Sequence, residues 1–400
     1  MKRIFLIGMA CSLVISACAA AHGPTPPSPA PTSAEAPARD AAGASVLLPP
    51  QAPPGGAEAE FRTDFQKSTV PFRDILSGGP PKDGIPSIDR PAFVSVAEAS
   101  GWLTPVEPVI RVQVGEDVRA YPIQVLMWHE IVNDVVGGAP LAVTFCPLCN
   151  TAIAFERTVG GRVLDFGTTG RLRYSNLIMY DRQTETWWQQ ASGEAITGEL
   201  AGARLVFYPA AIIAWADFKS SSPGGKVLSR DTGFKRNYGA NPYIGYDDVN
   251  NPPLLYRGPA TPGRLKPMAR VLTVDLNGDA VAFPYDVLEG VRVVNDSVGG
   301  QPVVVIWQPG TASALDKGAV ADGRDVGSAV AYSRRVDGAV LTFVAEGIRI
   351  HDLETGSEWS GSGRATAGKL TGKSLSPAVA VNHFWFSWAA FRPETRIYQP

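Results

Sequence analysis

The chain predicts a β-rich α+β fold: two tandem copies of one antiparallel β-rich unit with short helices, in a pseudo-twofold arrangement, after a disordered N-terminal tether. Three observations carry this. From Val109 onward, short stretches alternate apolar and polar residues and are cut by Gly, Asn, Asp and Pro about every ten residues, the mark of antiparallel strands and turns. VIRVQVGEDVRAYPIQVL, starting at Val109, returns as VLTVDLNGDAVAFPYDVL, starting at Val271. Ahead of both lies a stretch of Ala, Pro, Ser and Gly too poor in large apolar residues to bury a core.

Residues 1–17 read as a signal peptide. Lys2 and Arg3 precede a short apolar run, Ile4 to Ile15, too short for an ordinary membrane span. Ile15-Ser16-Ala17-Cys18 looks like a lipoprotein cleavage box, with Cys18 lipidated and becoming the mature N-terminus. The expectation is an exported protein anchored to the membrane through Cys18, on the periplasmic face of the outer membrane. Residues 18–60 are then the tether. Roughly 40 proline-rich residues at about 3 Å each reach on the order of 120 Å.

Residues 61–235 form the first repeat. Turn signals crowd its start, among them Asp83-Gly84 and Arg90-Pro91, and Val96 to Leu103 reads as a short amphipathic helix. Pro122 can open a helix, continued by Ile123, Leu126, Met127, Glu130 and Ile131 and stopped by Asn133-Asp134 and Gly137-Gly138. Leu141, Val143 and Phe145 alternate as a strand; Cys146-Pro147-Leu148-Cys149 interrupts; Thr151 to Phe155 resumes as a strand. Residues 236–268 are a connector. Its tyrosines, Tyr238, Tyr243, Tyr246 and Tyr256, predict packing across both copies and over the cysteines; Asp247-Asp248 reads as solvated loop. Residues 269–400 are the second, degenerate repeat, ending in an aromatic, core-forming helix over Asn382 to Phe391.

The repeat separates scaffold from chemistry. Pro122/Pro284, Asn133/Asn295, Asp134/Asp296, Asp181/Asp352 and Trp188/Trp359 occur in both copies. Cys146 becomes Gln308, Cys149 becomes Thr311, His129 becomes Val291 and Glu130 becomes Arg292. The candidate site is therefore Cys146, Cys149, His129 and Glu130 in the first copy. Two thiolates and an imidazole suit zinc, and with Met179 copper. Asp83, Asp89, Asp181, Met179 and His383 are candidates for supporting positions around it. The competing readings are a redox dithiol or structural disulfide, favoured by an oxidising compartment, and a binding or assembly module in which the cysteines staple a turn.

Thirty-six basic against 38 acidic residues give a net charge of −2 with no basic stripe, which argues against nucleic-acid binding. No Ser-His-Asp order, phosphate loop or dinucleotide fingerprint is present, and Asn150 after Cys149 excludes a haem attachment motif.

DGIPSIDRPAFVSV, EPVIRV, AYPIQVLMWHEIVNDVVGG, VTFCPLCNTAIAF, LIMYDRQTETWWQ and FWFSWAAFRPETRIY together resemble the bacterial family called domain of unknown function 3179, over nearly all of residues 75–400. The resemblance implies an exported bacterial protein and no established activity. The family pattern places Gly or a small residue after Cys-Pro-Leu-Cys, where this chain has Asn150.

Overall fold

The computed structural model describes residues 46–400. The signal peptide, Cys18 and most of the tether lie outside the described residues. Among those described, no helix is long and apolar enough to cross a membrane. The fold is β-rich with few short helices, and every sheet is open.

Strands form where alternation meets a turn. Pro108–Val114 and Asp117–Pro122 pair antiparallel, with Ala210–Ala214 on the far side of the first. Ile131–Val136, Ala139–Cys146 and Thr151–Glu156 make a meander. Phe166–Arg173, Asn176–Asp181, Trp187–Gln189 and Glu194–Thr197 make another. In the second half, Val381–Phe384, Arg270–Leu276 and Asp279–Pro284 lie side by side. Val293–Val298, Gln301–Gln308 and Ser328–Ser333 form the next sheet, and Phe343–Glu346, Arg349–Asp352, Glu358–Trp359 and Ala365–Ala367 the last. Two edges add parallel pairing, Lys226–Leu228 on Asp117–Pro122 and Arg396–Ile397 on Asp279–Pro284.

Several polar contacts occur in both halves at matching places. Asn133 bonds the main chain of Phe166 at 2.8 and 2.9 Å, and Asn295 that of Phe343 at 2.7 and 2.9 Å. The indole N–H of Trp188 donates to Asp181, and that of Trp359 to Asp352, both at 2.9 Å. Each satisfies a buried donor or acceptor that would otherwise cost 1–3 kcal/mol, roughly.

Three local expectations are corrected. The helix after Pro122 covers only Ile123–Leu126, and Asn133-Asp134 lie inside a strand instead of ending a helix. Asn133 is held by Phe166, while Asp134 accepts from Arg119 at 2.6 Å and Tyr121 at 2.6 Å. The aromatic C-terminal segment begins as the strand Val381–Phe384 and becomes helical only at Trp385–Ala389. The third correction concerns the end of the tether, which docks on the first half. The Leu48 amide donates to Ser68 O at 2.7 Å, Ala57 is fully buried, and Glu60 pairs with Arg171 at 2.9 Å.

The largest apolar core joins the meander around Cys146 to residues of the second half, including Leu315, Phe384 and Phe386, and to connector residue Tyr246. The halves also meet strand on strand. Ala210–Ala214 packs on Ser328–Ser333, Val381–Phe384 packs on Thr151–Glu156, and the two packing strands touch each other.

Candidate functional site

Cys146 ends a strand, and Pro147–Cys149 makes one 3-10 turn. Asn150 closes that turn at φ 50°, and Thr151 starts the next strand. Pro147 fixes the turn's entry, and Asn tolerates the left-handed backbone at its exit better than most residues. The turn brings both sulfurs to one side. The thiols are free and buried in this structure, and each faces the carbonyl of Ser175, Cys149 at 3.2 Å and Cys146 at 3.9 Å. The Asn176 amide reaches Cys149 Sγ at 3.5 Å. Burial pushes the Cys146 thiol well above its ordinary value; its hydrogen bond with the Cys149 thiol and the nearby charges of Cys149 and Glu130 add to this, and the Leu177 amide works against it.

The carbonyl of Ser175 reaches the thiols because the hairpin between Phe166–Arg173 and Asn176–Asp181 turns on Tyr174 and Ser175, at φ 54° and 64°. A two-residue turn of that hand normally takes Asn-Gly. Here two ordinary L-residues adopt it at a cost of roughly 1–2 kcal/mol each. Glu130 is a third, at φ 57°. Its amide donates to Leu126 O at 2.7 Å and its carbonyl accepts from Phe145 at 2.8 Å. Thus four of the ten non-glycine residues with positive φ among those described, Glu130, Asn150, Tyr174 and Ser175, surround or form the cysteine turn. Such clustering is common where structure serves chemistry.

Burial pushes the Glu130 carboxyl up to about 8, so it is largely protonated at neutral pH. Its charge is felt at Cys146 and at Tyr243. The connector closes the site, as its tyrosines predict. Tyr246 donates to Leu148 O at 2.8 Å, and Ser175 Oγ donates to Leu254 O at 2.6 Å. Burial raises both Tyr243 and Tyr246, and the nearby thiols add to it. The connector touches the second half through Tyr246 against Phe384 and Tyr256 against Phe386, with ring centroids 6.0 and 5.2 Å apart. Asp247, expected in a solvated loop, is buried. It accepts from Arg270 at 2.6 Å, from Ser313 at 2.5 Å and from Arg324 at 2.9 Å.

The other expected site residues are elsewhere. His129 is fully buried, with Nδ1 2.7 Å from Pro86 O and Nε2 2.6 Å from the Tyr238 hydroxyl, so neither nitrogen faces a thiol. Asp83 pairs with Arg182 and accepts from Tyr180, and Asp89 binds Ser87, Asn133 and Arg182; both brace the loop before the meander. Asp181 holds Trp188 and Thr184. Met179 is a buried core residue paired with Trp188 across the sheet. His383 does come near from the second half. Its Nδ1 lies 2.8 Å from Thr151 Oγ1, which donates to Cys149 O at 3.2 Å. Its Nε2 is buried without a partner, and burial holds the ring down to about 3.

Ser175 and Asn176 escaped the sequence reading. The hairpin exposes Ser175 through its backbone carbonyl, which no side-chain pattern announces. Among the described residues, no group of three or more His, Cys, Asp or Glu is arranged to hold a metal ion. The arrangement as it stands offers two adjacent thiols, a neutral carboxyl acid beside them, and a tyrosine-faced cover.

No curated protein and no solved structure matches this chain. The family model described as "Protein of unknown function (DUF3179)" matches residues 82–395, most of the chain, and the chain belongs to that family.

Proposed function

We propose that this is an envelope lipoprotein built of two tandem copies of one β-rich unit about a pseudo-twofold axis, whose first copy carries a buried redox dithiol, Cys146 and Cys149. The observation that carries the redox reading is the convergence of both sulfurs on the carbonyl of Ser175, at 3.2 and 3.9 Å, from the two ends of one 3-10 turn. Oxidation joins the two Sγ atoms. The two thiol protons and two electrons pass to a disulfide-bearing partner, whose S–S bond breaks to give two thiols. Glu130, largely protonated at neutral pH, would give its proton to a Cys146 thiolate released on reduction. The connector is the cover that must move for a partner disulfide to reach the sulfurs.

The tandem reading is supported by reciprocal contacts. Glu130 and Arg292, matched in sequence, have φ of 57° and 60°. Both amides donate four residues back at 2.7 Å, and both carbonyls accept at 2.8 Å from the following strand. Ala210–Ala214 meets the second unit just as Val381–Phe384 meets the first, which is what an axis through their contact produces. Export and lipidation rest on the N-terminal sequence ending at Cys18.

The test is a joint count of thiols and metals on the chain with Cys11 and Cys18 replaced by Ser, purified without chelator. The redox reading expects two thiols when reduced, none when oxidised, reversible interconversion of the folded chain, and its loss in Cys146→Ser and Cys149→Ser. One metal per chain, lost in Cys146→Ser, would replace it with the metal reading. A disulfide that only unfolding releases would make the pair a structural staple.

A further inference from the structure

Away from the thiols, the outer sheet of the first half carries a cation with no counter-ion. Arg111 lies on Pro108–Val114 with Ala120 and Ala211 directly beside it in register, two small residues that leave its side chain uncovered. It is half-buried. One Nη donates to Gln113 at 2.5 Å, while Nε is buried with no partner. It forms no salt bridge, although ion pairs bind many arginines of this chain. Burial lowers its pKa. A half-buried guanidinium left unpaired is costly, and natural chains keep such groups chiefly where something binds.

The space in front of Arg111 is a cavity of about 290 Å³ between the two halves. Its other wall brings Arg364, exposed and without a side-chain bond among the described residues, together with Ser362 and Ser374. From the first half come Ser221, Ser222 and the Gly224-Gly225 turn that follows the helix Trp215–Ser221. Gly225 is required there, since a Cβ would lie 2.7 Å from the Phe218 ring. Ser222 is buried and lines the cavity. One carboxylate, Glu116, stands at the rim, so two fixed positive charges face one negative.

We propose that this cavity binds the phosphate group of a small phosphorylated molecule. Two guanidinium groups from opposite walls, with Ser222 and Ser374 beside them, suit a doubly charged anion with three acceptor oxygens better than a singly charged carboxylate. A phosphate monoester offers three acceptor oxygens and close to two negative charges above its second pKa of about 6. The volume is roughly ten times the ~30 Å³ that one water takes up in the liquid, which leaves room for an organic moiety beyond the phosphate. Because the arginines come from different halves, the bound anion would clamp them together. This inference is independent of the thiol reading.

The experiment is calorimetric titration of the full-length chain with inorganic phosphate and, separately, with glucose 6-phosphate, at low and at moderate salt. Saturable binding that weakens with salt and falls about tenfold in Arg364→Ala is expected, since a charge-assisted contact is lost. Arg364 has no intramolecular side-chain partner, so its variant folds as the parent does; an unchanged urea midpoint verifies that. Arg111→Gln should weaken binding at least as much. Tighter binding of the ester assigns the site to an organic phosphate, and equal binding assigns it to the free ion. No saturable binding of either probe, or unchanged affinity in Arg364→Ala, overturns the proposal.

Discussion

Replacing Glu130 with Gln tests whether the acid beside the thiols is held neutral. Burial moves its pKa from 4.5 to about 8. Between these values the folded chain keeps a proton that the unfolded chain has released. The folded state therefore binds more protons, and stability falls as pH rises through the window. Each pH unit is worth about 1.4 kcal/mol. The histidines act in the opposite sense, because burial lowers both His129 and His383, but they do so only below their ordinary value of 6.5. Above that, the Glu130 slope stands clear of them. From pH 6.5 to 8 the wild-type chain should lose about 2 kcal/mol through this one group. Glu107 and Asp217 are also raised by burial, but they are common to both proteins and drop out of the difference. The assay is urea unfolding under reducing conditions at several pH values across that range. Glu130→Gln keeps a neutral side chain of the same size and should flatten the slope by about 2 kcal/mol. An equal slope in variant and wild type would show that Glu130 is already ionised and that its proposed proton exchange with Cys146 is wrong.

Alkylation of the folded, reduced chain by iodoacetamide at pH 8 should run on the order of a hundredfold slower than for free cysteine, because the thiolate is suppressed and covered; a free-cysteine rate would mean an open site. Tyr246→Phe removes the bond to Leu148 O and should speed that reaction about fivefold, the equivalent of ~1 kcal/mol; an unchanged rate would remove the connector as cover. Asp181→Ala and Asp352→Ala each strand a buried indole N–H and should each cost about 3 kcal/mol in urea unfolding; a silent variant at either place would contradict the tandem reading. Arg119→Met leaves Asp134 buried and unpaired and should cost 3–5 kcal/mol, roughly. Arg396→Met, at the exposed pair with Asp296, should cost under about 1 kcal/mol.

What could be read from the sequence was what repeats with a fixed period or recurs. Alternation located the strands Ala139–Cys146 and Thr151–Glu156, and recurrence picked out Asn133/Asn295 and Asp181/Asp352, whose contacts match between the halves. What could not be read depends on partners far along the chain. Asn133-Asp134 has turn propensity, yet Phe166, Arg119 and Tyr121 supply the bonds that keep both residues in a strand, and tertiary context overrides so weak a preference. His129 is close to the cysteines in sequence. The left-handed backbone of Glu130 turns the chain immediately after it, and the ring goes to Pro86 and Tyr238. Of the four residues singled out, Cys146 and Cys149 come together on one turn, Glu130 is buried where its charge is felt at Cys146, and His129 turns away.

Backbone strain divides in the same way as the side chains. The left-handed turn at Glu130 has its counterpart at Arg292, so that strain belongs to the fold, and only the side chain it presents differs. The hairpin turn is another matter. Beside the thiols it uses Tyr174 and Ser175, both at positive φ; in the corresponding hairpin of the second half, Gly347 takes the positive φ at 63° and Ile348 has none. Glycine adopts that backbone freely, so the second half solves the turn at low cost. In the first half, each residue of the costly turn has its own anchor. Tyr174 donates to Asp74 at 2.9 Å, and Ser175 gives Oγ to the connector and its carbonyl to the sulfurs. A glycine at 175 would ease the backbone but lose the bond that ties the cover to the hairpin. Of these two hairpins, the strained one lies in the half with the cysteines, at a turn that touches both the thiols and their cover. That placement sets the strained turn against the cysteine pair, while the second half closes its corresponding hairpin through Gly347 without such strain.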